Sequence, residues 1–171
     1  MALLRMANDE APELHSDMAM SMNMLNDNDE PINLMGDLYA SISVGGRAFR
    51  VTAGSFFRPN LSQLENLAAG VMQALALTGQ ESVLDLYAGV GIFSASIAQQ
   101  ARLVTLVDAD PYAVNDAELN LPEENIDIIE GLVEEVLEDL DEHYDAAVVD
   151  PGDDGLSAAA VDGLAERRIG R

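Results

Sequence analysis

The sequence predicts an α/β protein with a mainly parallel sheet, preceded by a small β-rich segment. Three observations carry this reading. Strand-like and helix-like stretches alternate from Ser82 onward, the first of those strands runs straight into a glycine turn, and the first 52 residues show strand alternation and turn clusters.

Composition narrows the possibilities. The chain has 171 residues, 49% of them hydrophobic, enough for one core-forming domain. No apolar run approaches the roughly 18 residues of a membrane span, and Met1 to Met6 is too short for a signal-peptide core. A cytoplasmic protein without a membrane partner is therefore expected. The absence of cysteine excludes disulfides, Cys-ligated zinc, iron-sulfur clusters and thiolate catalysis within these residues. Thirty-one acidic residues face 8 basic ones, all arginine, for a net charge of −23. Such a surface repels phosphate and suits high salt, where mutual repulsion is screened. A codon usage favouring Ala, Arg and Asp would produce a similar composition.

In chain order, residues 7–15 are polar and read as an exposed lead-in. Met18, Met20, Met22 and Met24 alternate with Ala19, Ser21 and Asn23, which puts them on one face of a strand, with core packing the expected use of that face. Asn26 to Pro31 is a turn cluster. Residues 38–52 form a hairpin around Gly45-Gly46, since two-residue turns demand positive φ. The β-rich segment thus covers 1–52 and the sheet domain 53–171. Leu61, Leu64, Leu67, Ala68, Val71, Met72 and Leu75 trace a helical stripe, opened by a capping box from Asn60 to Gln63 and ended by Gly79. Strand 82–87, helix 92–101, strand 103–108, helix 110–120 (Asp110 as N-cap, Pro111 behind it), strand 125–130, a short acidic helix from Val133, strand 145–150 and helix 157–166 follow.

The chemistry concentrates where these strands end. Gly89 and Gly91 allow close backbone approach to a ligand, although such glycines also serve turns for structural reasons. Asp108 ends the second strand, 17 residues beyond Gly91, where an acid can accept both hydroxyls of a ribose, and Asp150 ends the fourth on the same sheet edge. Two cofactor classes use this arrangement. A dinucleotide fold wants a third glycine where Ser94 stands, and Asp85 would repel its pyrophosphate. Beside a sulfonium and an ammonium group the same carboxylate is attractive, which favours S-adenosyl-L-methionine.

Several boxes also resemble a known family. Phe49-Arg50-Val51 with Ser55-Phe56-Phe57-Arg58-Pro59-Asn60, then Asp85-Leu86-Tyr87-Ala88-Gly89-Val90-Gly91-Ile92-Phe93, Asp108, Ala117 with Asn120, and Asp150-Pro151 are similar, in order, to the motifs of the RNA uracil-carbon-5 methyltransferases. The resemblance covers more than half of the chain. It implies a Rossmann-like class I methyltransferase sheet, S-adenosyl-L-methionine as cofactor, and tRNA or rRNA rather than DNA as partner. It further implies that Tyr87 packs on the cofactor, that Asp108 holds its ribose, and that Asp150 lines the methyl-donor end. Asp85, Tyr87, Gly89, Gly91, Asp108 and Asp150 are accordingly the expected cofactor-binding residues.

Departures from the pattern matter equally. Arg58 stands where the family has a cofactor-contacting glutamine, and Gly152-Asp153 replaces a proline and an arginine. The family's nucleophilic cysteine and general base lie beyond the last helix seen here, and four strands are legible where such sheets usually have seven, so the domain reads as incomplete at its C-terminus. No catalytic residue is assigned. His15 and His143 read as surface residues, and the acids from Glu134 to Glu142 as a solvated helix face rather than a metal site. A non-catalytic binding module that keeps the cofactor fold and a degenerate methyltransferase relative remain the alternatives.

Overall fold

The computed structural model describes residues 20–28, 30–140, 143–153, 155–167 and 169–170. Two units divide the chain, one ending at Leu38 and one starting at Tyr39.

In the first unit, β1 (Met22–Leu25) and β2 (Pro31–Met35) form an antiparallel hairpin. Asn26 shapes its turn: Oδ1 accepts from the Asn28 and Glu30 amides at 2.8 and 2.9 Å, while Nδ2 donates to Glu30. The methionine row is not core. Met20, Met22 and Met24 are 42–45% exposed, because a lone two-stranded ribbon has no second layer of its own to bury either face. Met18 lies outside the described residues.

The second unit begins with the hairpin β3 (Tyr39–Val44) and β4 (Arg47–Thr52), turned at Gly45-Gly46 with φ of 58° and 78°. This hairpin, grouped by sequence with the N-terminal segment, falls in the same unit as the parallel sheet. After it come α1 (Leu61–Leu75), β5 (Ser82–Leu86), α2 (Ile92–Ile97), β6 (Leu103–Asp108), α3 (Pro111–Asn120), β7 (Ile126–Glu130), α4 (Val133–Asp139), β8 (Ala146–Val149) and α5 (Ala158–Arg167). The four strands β5 to β8 are all parallel in the order β7-β6-β5-β8, a Rossmann-like arrangement. The chain crosses back after β7 to pair β8 with β5, so the strand order reverses at β5/β8, and open α/β sheets bind ligands in the crevice at such a point.

Alternation along β5 explains the two-sided core. Val83 packs with Phe93, Ile97 and Leu75 on the α1/α2 side, while Leu84 and Leu86 pack with Val133, Leu137 and Ala160 on the α4/α5 side. All five residues of β5 are buried. One buried carboxylate, Asp85, therefore faces α2 from the middle of the sheet.

Two helix boundaries differ from expectation. Asn60 makes no side-chain cap; its Oδ1 accepts from the Ser62 hydroxyl at 2.9 Å instead, so the capping box does not form. At the other end α1 stops at Leu75, with Ala76 left-handed, rather than continuing to Gly79. The cause is Glu81, whose carboxylate accepts from the Thr78, Gly79 and Gln80 amides and the Thr78 hydroxyl. Wrapping three successive amides around one acceptor requires the chain to leave the helix early. Those bonds, Thr78 foremost, hold the Glu81 carboxyl down to about 2. As expected, Asp110 caps α3, accepting from the Tyr112 amide at 2.9 Å, with proline at the first helical position.

Candidate functional site

At the C-terminal edge of β5, Phe56, Phe57, Arg58, Tyr87, Gly89, Val90, Phe93 and Asp150 line a cleft. It lies at the reversal of strand order. Asp85 sits beneath it, fully buried. Oδ2 accepts from the Ser94 hydroxyl at 2.6 Å, while Oδ1 is buried without a hydrogen-bond partner. Burial raises its carboxyl to about 7; Asp150 and Asp108 add to the rise and Ser94 opposes it. A buried carboxylate with an idle oxygen and two acidic neighbours is an arrangement that a cation relieves.

Asp108 ends β6 and holds the glycine turn. Its Oδ2 accepts from the Gly89 amide at 2.7 Å and its Oδ1 from the Asp110 amide at 2.9 Å. Each oxygen keeps a second lone pair for a further donor. Asp150 follows β8 and forms an ion pair with Arg58, which reaches it across the cleft from the segment before α1. Arg58 is the one cation among the described residues lining that cleft.

Tyr87 leaves β5 with a φ of 59°, a left-handed conformation uncommon in residues other than glycine, and packs partly against the Val133 and Leu137 side of the sheet while lining the cleft. Its phenol is raised by burial and by Glu134. The two glycines do different work. A Cβ on Gly89 would meet nothing within 4 Å, so its open side faces free space, whereas one on Gly91 would lie 2.5 Å from the Leu121 side chain. The close approach at Gly91 is thus to α3's end, a packing constraint that its spacing in sequence does not distinguish from ligand contact.

Of the other acids, Glu135, Glu138 and Asp139 are exposed on α4, and no group of three or more potential ligands could hold a metal ion among the described residues. His143 is exposed; His15, Asp141 and Glu142 lie outside the described residues. Three residues with clear roles near the site were not singled out for them from sequence: Ser94, which holds Asp85, and Asp116 and Asn120, which tie α3 to the hairpin. Asn120 carried a signal only as part of the Ala117–Asn120 box, and for Ser94 and Asp116 the signal was polarity at helix positions that the periodicity would bury.

A parallel sheet reversing at a cleft, with a glycine turn and acids on its edge, defines an α/β domain built to hold a nucleoside-bearing cofactor. The chain belongs to the methyltransferase small domain family, whose pattern matches residues 60–153. It is similar to an uncharacterized RNA methyltransferase of Enterococcus faecalis, 36% identical over 144 residues that cover 81% of this chain and 32% of that protein. Among solved structures, the Pyrococcus abyssi tRNA (uracil-54, C5)-methyltransferase in complex with S-adenosyl-L-homocysteine superposes with a TM-score of 0.65 at 26% identity, covering 80% of this chain and 34% of that one. The fold is also that of the M. jannaschii tRNA m1G37 methyltransferase, at 19% identity, a TM-score of 0.60 and coverage of 82% and 42%. The chain spans about a third of the length of the first two of these relatives. No helix among the described residues is long and apolar enough to cross a membrane.

Proposed function

We propose that this chain is the S-adenosyl-L-methionine-binding part of an RNA methyltransferase that acts on carbon 5 of uridine in tRNA or rRNA. The observation that carries the cofactor is Asp85, a buried carboxylate with an unpartnered oxygen at the cleft where Asp150 and Asp108 also converge. That field suits a sulfonium and an ammonium group and opposes a pyrophosphate. The residues fit: Gly89 leaves open space, Asp108 keeps lone pairs for ribose hydroxyls, and Tyr87 lines the wall. When bound, the cofactor supplies an activated methyl group. The cleft as it stands encloses about 50 Å³, small beside the roughly 300 Å³ of a typical ligand pocket. The Arg58 arm, 36% exposed, lies across that cleft on Asp150. Phe56, which also lines the cleft, is 69% exposed.

Support for uridine comes from the ordered boxes between Phe49 and Pro151 and from the likeness to the uracil-directed tRNA enzyme. In the resembled family a thiolate adds to carbon 6 of uracil to make carbon 5 nucleophilic. These 171 residues hold no thiol, so that group has to come from outside them.

Titration calorimetry with S-adenosyl-L-homocysteine tests the cofactor. Wild type is expected to bind and Asp108→Ala to bind at least about tenfold more weakly, since it loses charge-assisted acceptors. Equal binding would remove Asp108 from the site, and heat with NADH in place of the homocysteine ligand would overturn the cofactor class. The substrate is tested with radiolabelled donor, unmodified tRNA and rRNA, and molar salt to screen phosphate repulsion. Label in 5-methyluridine is expected only when the chain is joined to, or mixed with, a cysteine-bearing remainder like that of its longer relatives; label with the 171 residues alone would refute the reading.

A further inference from the structure

The Gly89–Gly91 turn is held from two sides. In front, Asp108 takes the Gly89 amide. Behind it lies the end of α3, where Asn120 is 7% exposed. Asn120 Oδ1 accepts from the Arg50 amide at 2.7 Å, and its Nδ2 donates to the carbonyls of Arg50 at 3.0 Å and Val90 at 3.1 Å. Its own carbonyl accepts from the Arg47 guanidinium. The next residue, Leu121, is the one against which Gly91 rests. One amide side chain therefore joins strand β4 of the hairpin to the middle of the turn.

Asp116 lies one helical turn earlier on the same face of α3. Fully buried, it accepts from Arg50 Nε at 2.7 Å, the Thr52 amide at 2.5 Å and the Thr52 hydroxyl at 2.9 Å. It clamps β4, and none of those bonds reaches the turn. The two residues share the task of fixing the hairpin, and the bond to Val90 sets Asn120 apart.

We propose that Asn120 is a positioning residue of the cofactor site, setting the glycine turn at the depth its ligand needs and coupling that depth to the hairpin. This rests on the cofactor reading above. Val90 is 2% exposed, so its carbonyl, once deprived of the amide donor, has no ready access to water, and the turn must shift to regain a partner. The shift moves Gly89, whose open side is the part of the turn that faces the cleft. Cofactor affinity then depends on a side chain that never touches the cofactor.

The test compares Asn120→Ala with Asp116→Asn. Both are expected to lower the melting temperature. Only Asn120→Ala is expected to weaken S-adenosyl-L-homocysteine binding, by about tenfold, the factor that follows from one unmet buried acceptor. In nitrogen-proton spectra of the unliganded proteins, the Gly89 and Gly91 amides are expected to move in Asn120→Ala and stay in place in Asp116→Asn. Should the alanine variant not fold, Asn120→Asp, which keeps an acceptor for Arg50, carries the same comparison. Unchanged affinity with unmoved glycine amides, or equal losses in the Asp116 variant, would overturn the proposal. If wild type itself binds no cofactor, the cofactor reading fails, and the unliganded spectra still decide whether Asn120 holds the turn.

Discussion

Asp85→Asn is expected to raise stability at pH 8 and to weaken binding of S-adenosyl-L-methionine in the same molecule. Burial lifts the Asp85 carboxyl from 3.8 to about 7, so the folded state holds its proton over a range where the unfolded chain has released it. A raised folded value leaves the contribution intact below about pH 4 and removes it as the pH climbs to about 7. Above that, the native state carries a buried charge whose cost is on the order of 4 kcal/mol. Asparagine keeps an acceptor for Ser94 and carries no charge. The melting temperature of the variant is thus expected to exceed that of wild type at pH 8, with the gap closing towards pH 4. Donor affinity of wild type is expected to rise with pH through 7, and that dependence should vanish in the variant. A variant less stable than wild type at pH 8 would show that the carboxylate is better solvated than its burial implies.

Stability is also expected to climb steeply with salt. A net charge of −23 on 171 residues is self-repulsion that the fold must overcome, and at about 1 M the Debye length falls to about 3 Å from about 10 Å at 0.1 M. The described ion pairs, Arg47 with Glu123, Arg50 with Asp116 and Arg58 with Asp150, pull the other way, but three attractive pairs are few against that excess. Thermal melts in low and molar potassium chloride measure the balance. A melting temperature that is flat or falling with salt would mean that the carboxylates are spaced widely enough not to interact.

The parallel half of the fold was legible because its strands are buried on both faces and so read as short apolar runs, punctuated by Gly89, Gly91 and Asp110-Pro111. Asp85, Asp108 and Asp150 could be aligned on one edge because strand ends in a parallel sheet all point the same way. The N-terminal hairpin was half seen. Alternation identified β1, but Pro31 at the head of β2 looked like the end of a turn, and alternation alone cannot say whether a second layer exists to bury Met22 and Met24. The end of α1 escaped because Glu81 acts on amides up to three residues before it. Contacts between distant positions escaped entirely: Arg58 with Asp150 and Asn120 with Val90 depend on how elements are stacked, and no local pattern encodes that.

The strand order bears on how the protein reaches its native state. The β5/β6 and β6/β7 pairings join residues about twenty positions apart, as in Val83 with Val104 and Val104 with Ile126, whereas β5/β8 joins Val83 to Ala146. Closing the longest loop costs the most chain entropy, which makes this pairing the costliest of the three to close from the unfolded chain. Asp150 is delivered to Asp85 only by that pairing. A folding intermediate made of β5, β6 and β7 would contain the glycine turn and still lack a complete cleft. A ligand that binds only the complete cleft stabilises the sheet with β8 in place, so the cofactor would act as a fastener on that strand.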